Sequence, residues 1–218
     1  MTRRIHIILP VYNEERALEP LLTRIRSAMT AMAQAYAVIV VDDGSADRSG
    51  EIARAWRAAM PLDLVEHERN RGLGAALRSG LLRAASLAGP DDVIVTMDAD
   101  DTHPPDLIGA MVRRIDEGAD LVIASRYAAG AREVGLSARR RVLSRGAGVV
   151  LGALFPLAGA RDYSCGFRAY RAAVIARALA AYGPALVEER GFACAAEVLL
   201  KLRRLGVRVS EVPLVLRY

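Results

Sequence analysis

Three acidic clusters hold most of the chemistry that this sequence offers. Pro10-Val11-Tyr12-Asn13-Glu14, Asp42-Asp43-Gly44-Ser45 and Asp98-Ala99-Asp100-Asp101 each follow a short apolar run. Taken singly, each reads as a turn or a helix cap, because Asp, Asn and Ser bond to nearby backbone. Gathered on one rim, three such clusters repel each other unless a cation or hydrogen-bond donors stand between them. Asp98-Ala99-Asp100 is the sharpest, since alternation in an extended segment turns both carboxylates to one side. That pair suits Mg²⁺ or Mn²⁺, which take oxygen ligands and leave room for diphosphate oxygens. Asp42 and Asp43 offer acceptors for a nucleobase imide or ribose hydroxyls. Arg71-Gly72-Leu73-Gly74 gives close backbone approach at a helix start, useful beside a phosphate. It is neither a P-loop nor a dinucleotide fingerprint.

The elements that must position these residues alternate. Ile5–Leu9, Val38–Val41, Leu62–Glu66, Val93–Met97 and Leu121–Ser125 read as buried strands. Between them lie amphipathic helices. The first is capped by Asn13, with Glu14 and Glu15 in its first turn and Leu18, Leu21, Leu22, Ile25 and Met29 on one face. Ser49–Ala59 turns Ile52 and Trp56 inward, Gly74–Ala88 follows the Gly-rich turn, and Pro104-Pro105 opens a helix burying Ile108, Val112 and Ile115. Strands separated by single helices predict an α/β fold with a mostly parallel, doubly wound sheet and helices on both faces. Ligands of such sheets bind beyond the carboxyl ends of the strands, where the acidic clusters fall. After Arg126 the pattern loosens. Ala128–Leu136 reads as a mobile loop and Ser137–Leu154 as a helix, basic first and apolar later. Phe167–Tyr170 reads as a strand, Ala172–Ala181 and Gly191–Leu205 as helices, and Arg208–Leu216 as a last strand. No linker interrupts residues 1–218, so a single domain is expected.

Composition narrows the class. At 218 residues and 53% hydrophobic, the chain can bury a sizeable core, which excludes disorder. Aromatics at 5% argue against a stacking platform for single-stranded nucleic acid, and the acidic rim argues against DNA. The longest nearly uncharged run, Gly146–Ala160, is too short to span a bilayer. Only a few apolar residues separate Arg4 from Pro10, so no signal peptide is expected, and two cysteines build neither a disulfide scaffold nor a zinc site. A cytoplasmic protein is the expectation. The net charge is +5, and Lys201 is the one lysine among 30 basic residues. Arg139, Arg140, Arg141 and Arg145 form a cluster, and guanidinium forks suit phosphates. The apolar stretch Val149–Leu157 behind it fits either a membrane surface or the core, giving an expected peripheral contact with the inner face of a membrane.

Pro10-Val11-Tyr12-Asn13-Glu14, Val40-Val41-Asp42-Asp43-Gly44-Ser45, Arg71-Gly72-Leu73-Gly74 and Met97-Asp98-Ala99-Asp100 resemble glycosyltransferase family 2, of GT-A fold. Ala124-Ser125-Arg126-Tyr127, Arg141–Gly146, Ser164–Arg168 and Glu211-Val212-Pro213 make the chain similar to the dolichol-phosphate (polyprenol-phosphate) mannose or glucose synthases of that family. The resemblance runs from about Ile5 to Leu216. It implies residues 1–126 as a nucleotide-sugar-binding half and 127–218 as an acceptor-binding half. It places Pro10, Tyr12, Glu14 and Asp43, with Asp42, Gly72 and Ala99 nearby, around the nucleotide sugar. Asp98 and Asp100 would hold metal and diphosphate, and Thr102, where relatives often carry Gln, would be a further ligand. Arg126, Arg140 and Ser144 would contact donor and lipid phosphates, and Asp162 would lie near the sugar.

The implied reaction is an inverting hexosyl transfer from GDP-mannose or UDP-glucose to a polyprenyl phosphate. A phosphate acceptor is already anionic at neutral pH, its second pKa being about 6, and asks for no strong base. A hydroxyl acceptor does ask for one, and Asp162 is the candidate. A family 2 enzyme acting on a saccharide or small-molecule hydroxyl therefore stays open, as does a non-catalytic nucleotide-sugar-binding protein. His6, His67 and His103 are poorly placed to be that base.

Overall fold

The computed structural model describes residues 3–134 and 155–217. β1 (Arg4–Val11), β2 (Ala35–Asp42), β3 (Leu62–Glu66), β4 (Val93–Thr96) and β5 (Leu121–Ser125) alternate with α1 (Leu18–Ala31), α2 (Ser49–Trp56), α3 (Leu73–Leu87) and α4 (Ile108–Asp116). The strands are continuous apolar runs because helices cover both faces of the sheet. Ile5, Ile7, Ile8 and Leu9 in β1 are all fully buried. The chain continues through β6 (Arg132–Val134), β7 (Arg168–Arg171), α5 (Ala172–Tyr182), α6 (Cys194–Arg204), β8 (Val209–Pro213) and β9 (Val215–Arg217).

The main sheet has the order β3-β2-β1-β4-β7-β5-β8, and β6 pairs with β9 in a separate two-stranded sheet. β7 is antiparallel to β4 and β5, and the other pairings are parallel. The expected α/β, mostly parallel sheet is thus present. Two features of its topology position the site. The chain runs outward through β2 to β3 and then crosses to β4, on the other side of β1. This leaves a crevice at the carboxyl ends of β1 and β4. Because β7 runs backwards, its first residue, Arg168, lies opposite Thr96 at the carboxyl end of β4. The turn before it, residues 161–167, is therefore delivered to the same rim. The expected halves divide at residue 126, but the sheet does not, since β7 and β8 pair with β4 and β5.

Several expectations are corrected. Asn13 does not cap α1. Its φ is +57°, its side chain accepts the Ala46 N–H at 2.8 Å, and turns occupy the chain up to Leu18. The 98–101 segment is not extended: β4 ends at Thr96, and Asp101 has a φ of +60°. The loop expected over 128–136 contains β6. The last strand is two, separated by Leu214, whose N–H donates to the Ser125 carbonyl at 2.9 Å. α2 stops at Trp56, which lies under the Arg26 guanidinium at 5.1 Å. As expected, α4 buries Ile108, Val112 and Ile115 behind a 3₁₀ turn opened by Pro105. Among the described residues, no helix is long and apolar enough to cross a membrane. The expected helix over 137–154, with Arg140, Ser144 and the rest of the Arg cluster, lies outside the described residues, as does the Val149–Leu157 stretch up to residue 154.

Candidate active site

A cavity of about 280 Å³ opens at the rim. Pro10, Tyr12 and Glu14 enter it from the end of β1, Asp43 from β2, and Asp98 and Asp100 from β4. Asn70 and Leu73 at the start of α3, and Phe192 ahead of α6, complete its walls. A smaller cavity of about 50 Å³ shares Pro10, Leu73, Asp98 and Phe192 with it and reaches Ser164 and Cys194. The three acidic clusters therefore converge, as their placement at strand ends predicts.

Asp43 is the best-anchored group of the site. It is 2% exposed, and its carboxylate accepts the Arg71 N–H at 3.0 Å and the Gly72 N–H at 2.8 Å. His67 Nδ1 lies 2.6 Å from its Oδ1, and Ser79 Oγ lies 2.9 Å from His67 Nε2. The Arg71 and Gly72 N–H groups at the start of α3, expected to be useful beside a phosphate, are thus taken by Asp43. Gly72 is required here because its φ is +96° and a Cβ would stand 2.7 Å from the Arg190 carbonyl. Asp42 does not line the cavity. Its Oδ1 accepts the Ser45 N–H at 2.9 Å and holds the turn after β2.

Asp98 and Asp100 face the cavity with unbalanced charge. Burial pushes the Asp98 carboxyl up and Asp100 adds to it, while His103 and Arg126 oppose. Burial also raises the Glu14 carboxyl, reinforced by Asp100, Asp47 and Asp98. Among the described residues, no group of three or more His, Cys, Asp or Glu forms a complete metal site. Two carboxylates that face one cavity, with Glu14 adding to their field, nevertheless fit a hard divalent ion whose other ligands are phosphate and water oxygens. The hydroxyl of Thr102, expected as a further ligand, donates to Asp100 Oδ1 at 2.7 Å, and its N–H to the same oxygen at 3.0 Å. His103 is buried beneath Asp98, stacked on Phe167 at 5.1 Å, and its Nδ1 accepts the Asp98 N–H at 3.1 Å.

Arg126 and Asp162 form a two-pronged ion pair. Nε donates to Oδ2 and Nη2 to Oδ1, both at 2.8 Å, and Nη2 also donates to Ser164 Oγ at 2.7 Å. Asp162 is fully buried and accepts the backbone N–H groups of Arg126, Ser164 and Cys165 as well. Burial pushes its carboxyl up, but Arg126 and the N–H donors outweigh this and hold it below the usual carboxylate range. The hydrogen bonds to Asp162 raise the guanidinium correspondingly. Glu211, in the Glu-Val-Pro motif, anchors the turn by accepting the N–H groups of Arg161 and Asp162. Burial pushes the Cys165 thiol up to about 12 and the Cys194 thiol to about 11, so neither is a nucleophile at neutral pH.

Of the residues read from sequence, Pro10, Tyr12, Glu14, Asp43, Asp98, Ala99 and Asp100 come together on the large cavity. Arg126 and Asp162 sit beside it, joined to its smaller neighbour through Ser164. His67, His103, Asn70 and Phe192 were not foreseen. The signal for His67 was available, since β2 and β3 pair in parallel with Asp42 opposite Glu66, and the next residues along are Asp43 and His67. Replacing Asp43 by alanine is expected to weaken nucleoside-diphosphate binding at least about tenfold, measured by calorimetry without metal. Unchanged affinity would show that Asp43 holds no part of a bound nucleotide.

The family model for glycosyl transferase family 2 matches residues 6–179. The chain is 34% identical over 174 residues to a dolichol-phosphate mannosyltransferase of Pyrococcus furiosus, covering 79% of this chain and 47% of that one. It is 32% identical over 215 residues to a polyprenol monophosphomannose synthase of Mycolicibacterium smegmatis, covering 98% and 77%. The crystal structure of glucosyl-3-phosphoglycerate synthase from Mycobacterium tuberculosis in complex with Mn²⁺, uridine diphosphate and glucosyl-3-phosphoglycerate superposes with a TM-score of 0.68. At 22% identity, over 99% of this chain and 71% of that one, it shows a common fold of GT-A type. The chain belongs to glycosyl transferase family 2. It spans about half the length of the Pyrococcus relative.

Proposed function

We propose that the chain is an inverting, metal-dependent glycosyltransferase. It moves mannose or glucose from GDP-mannose or UDP-glucose to a polyprenyl or dolichyl phosphate. The observation that carries this reading is the state of Asp162. A hydroxyl acceptor needs a base, and the carboxylate placed for that work is spent on Arg126 and three backbone N–H groups. An acceptor that brings its own negative charge needs none. The two relatives, whose names specify dolichol phosphate and polyprenol, support the same acceptor.

In this reading Tyr12 and Asp43 hold the base and ribose, and Asp98 and Asp100 hold Mg²⁺ or Mn²⁺. The ion supplies charge neutralisation on the departing diphosphate. Thr102 and His103 keep the two carboxylates aimed at the cavity. Arg126, its Nε and Nη2 fixed by Asp162, has Nη1 left to orient the acceptor phosphate. A phosphate oxygen attacks the anomeric carbon from the face opposite the diphosphate. The C–O bond to the diphosphate breaks with its electron pair, leaving a nucleoside diphosphate and an inverted hexosyl phosphodiester.

Arg140 and Ser144 stand four residues apart, so a helix would place both toward one phosphate. Arg140→Ala is expected to raise the KM for polyprenyl phosphate on the order of tenfold or more, with little change for the nucleotide sugar. Arg140→Lys should recover part of the loss, since it restores charge without the two-pronged geometry. Equal effects on both KM values would remove Arg140 from the acceptor site.

A further inference from the structure

Beside the active-site cavity lies a second depression of about 520 Å³, lined by Arg69, Asn70, Arg71, Arg78, Glu188 and Arg190 among others. Asn70 belongs to both. Among the described residues, Arg69, Arg71 and Arg190 have no ion pair, and the Arg78 guanidinium meets the Val187 carbonyl at 3.4 Å. Glu188, the one carboxylate in this lining, is bonded to Lys201 Nζ at 2.9 Å. Like charges so grouped repel, and exposed side chains ordinarily relieve that by swinging apart.

Here the two backbone segments that carry them are locked together. The Gly74 N–H donates to the Arg190 carbonyl at 3.1 Å, and a Cβ on Gly74 would stand 1.7 Å from the Glu189 carbonyl. The donor's phosphates do not account for the cluster, because the proposed metal carboxylates lie elsewhere and Asp43 already fills the start of α3. Two residues past Arg190, the Phe192 ring is 84% exposed at the mouth of the active-site cavity. An exposed ring two residues from Arg190, next to a cluster of guanidiniums without ion pairs, is the composition of an interfacial anchor, with the ring in the headgroup layer and the cations on its phosphates. A nucleic acid fits less well, because its phosphate chain would run onto the acidic cluster of Glu14, Asp98 and Asp100.

We infer that residues 69–71, Arg78 and 190–192 form a docking face for an anionic phospholipid bilayer, which holds the cavity mouth against the membrane. The inference deepens the lipid-phosphate reading and rests on it. The test is co-sedimentation of the full chain with phosphatidylcholine vesicles, with or without about one-third phosphatidylglycerol, at about 0.05 M and 0.5 M salt. The wild-type chain is expected to prefer the anionic vesicles, and Arg69→Glu/Arg190→Glu to lose on the order of 100-fold in binding. Arg57→Glu/Arg113→Glu, the same charge change at exposed sites just past α2 and on α4, should stay within about threefold. Phe192→Ala should lower the binding that survives high salt. Equal binding to neutral vesicles, an equal loss in the control pair, or displacement by inorganic pyrophosphate or RNA would overturn the inference. In the last case the face serves a soluble anion or a nucleic acid.

A second arm separates this from the function itself. Arg69→Glu/Arg190→Glu should transfer sugar normally to a short water-soluble prenyl phosphate, and poorly to a long-chain acceptor embedded in vesicles. A wild-type chain that transfers to neither counts against the proposed function, whereas vesicle binding stands or falls by sedimentation.

Discussion

Asp100→Ala is expected to lower turnover on the order of 1,000-fold while the melting temperature stays close to that of the wild type. The side chain is exposed, and the hydrogen bonds its carboxylate accepts come from its neighbour Thr102, so the fold loses little. The chemistry loses much, because the carboxylate would share a metal ion that neutralises the departing diphosphate. A thousandfold corresponds to about 4 kcal/mol of transition-state stabilisation, a usual size for such an interaction. EDTA should have a comparable effect on the wild-type chain, reversed by Mg²⁺ or Mn²⁺. Full activity in EDTA would remove the metal from the account.

Asp162→Asn is expected to be more disruptive, since it lowers both stability and rate. It leaves the largely buried Arg126 guanidinium without its counter-charge, at a cost of about 3–5 kcal/mol. With the guanidinium free to swing, turnover should fall on the order of 100-fold. Arg126→Gln combined with Asp162→Asn should recover much of the stability, read by denaturant midpoint, and none of the activity. If Asp162 were instead a catalytic base, the single variant would be stable and inactive. The pH dependence has a defined sign. The folded-state value of Asp162 is depressed below the ordinary 3.8, so its contribution to stability is complete above that value and lost as pH falls through the lower folded one.

The first half of the chain was legible because its elements are regular. Apolar runs such as Ile5–Leu9 and Leu121–Ser125 have no reading but a buried strand, and single helices between them force parallel neighbours. Placing the acidic clusters at strand ends then put Glu14, Asp43, Asp98 and Asp100 on one rim without coordinates. Legibility ended where the role of a residue depended on contacts distant in sequence. Asp42 and Asp43 are adjacent and identical in type, yet one holds a turn and the other faces the cavity. Asp162 reads as a free carboxylate until β7 is seen to run backwards and bring its turn against Arg126. The hydrogen bond from the Thr102 hydroxyl to Asp100 is likewise invisible in the sequence. Phe192 carries no local signal, because an exposed aromatic in a loop is distinguished only by what it overhangs.

The central claim is that the acceptor is a lipid phosphate. The most direct measurement incubates the chain with GDP-mannose or UDP-glucose labelled in the sugar, Mg²⁺ or Mn²⁺, and a short polyprenyl phosphate or the dephosphorylated polyprenol. Label should pass into a chloroform-extractable product with the phosphate and stay in the aqueous phase with the alcohol. Transfer to the polyprenol, or to a free sugar, in preference to the phosphate would contradict the account and return the role of base to a carboxylate.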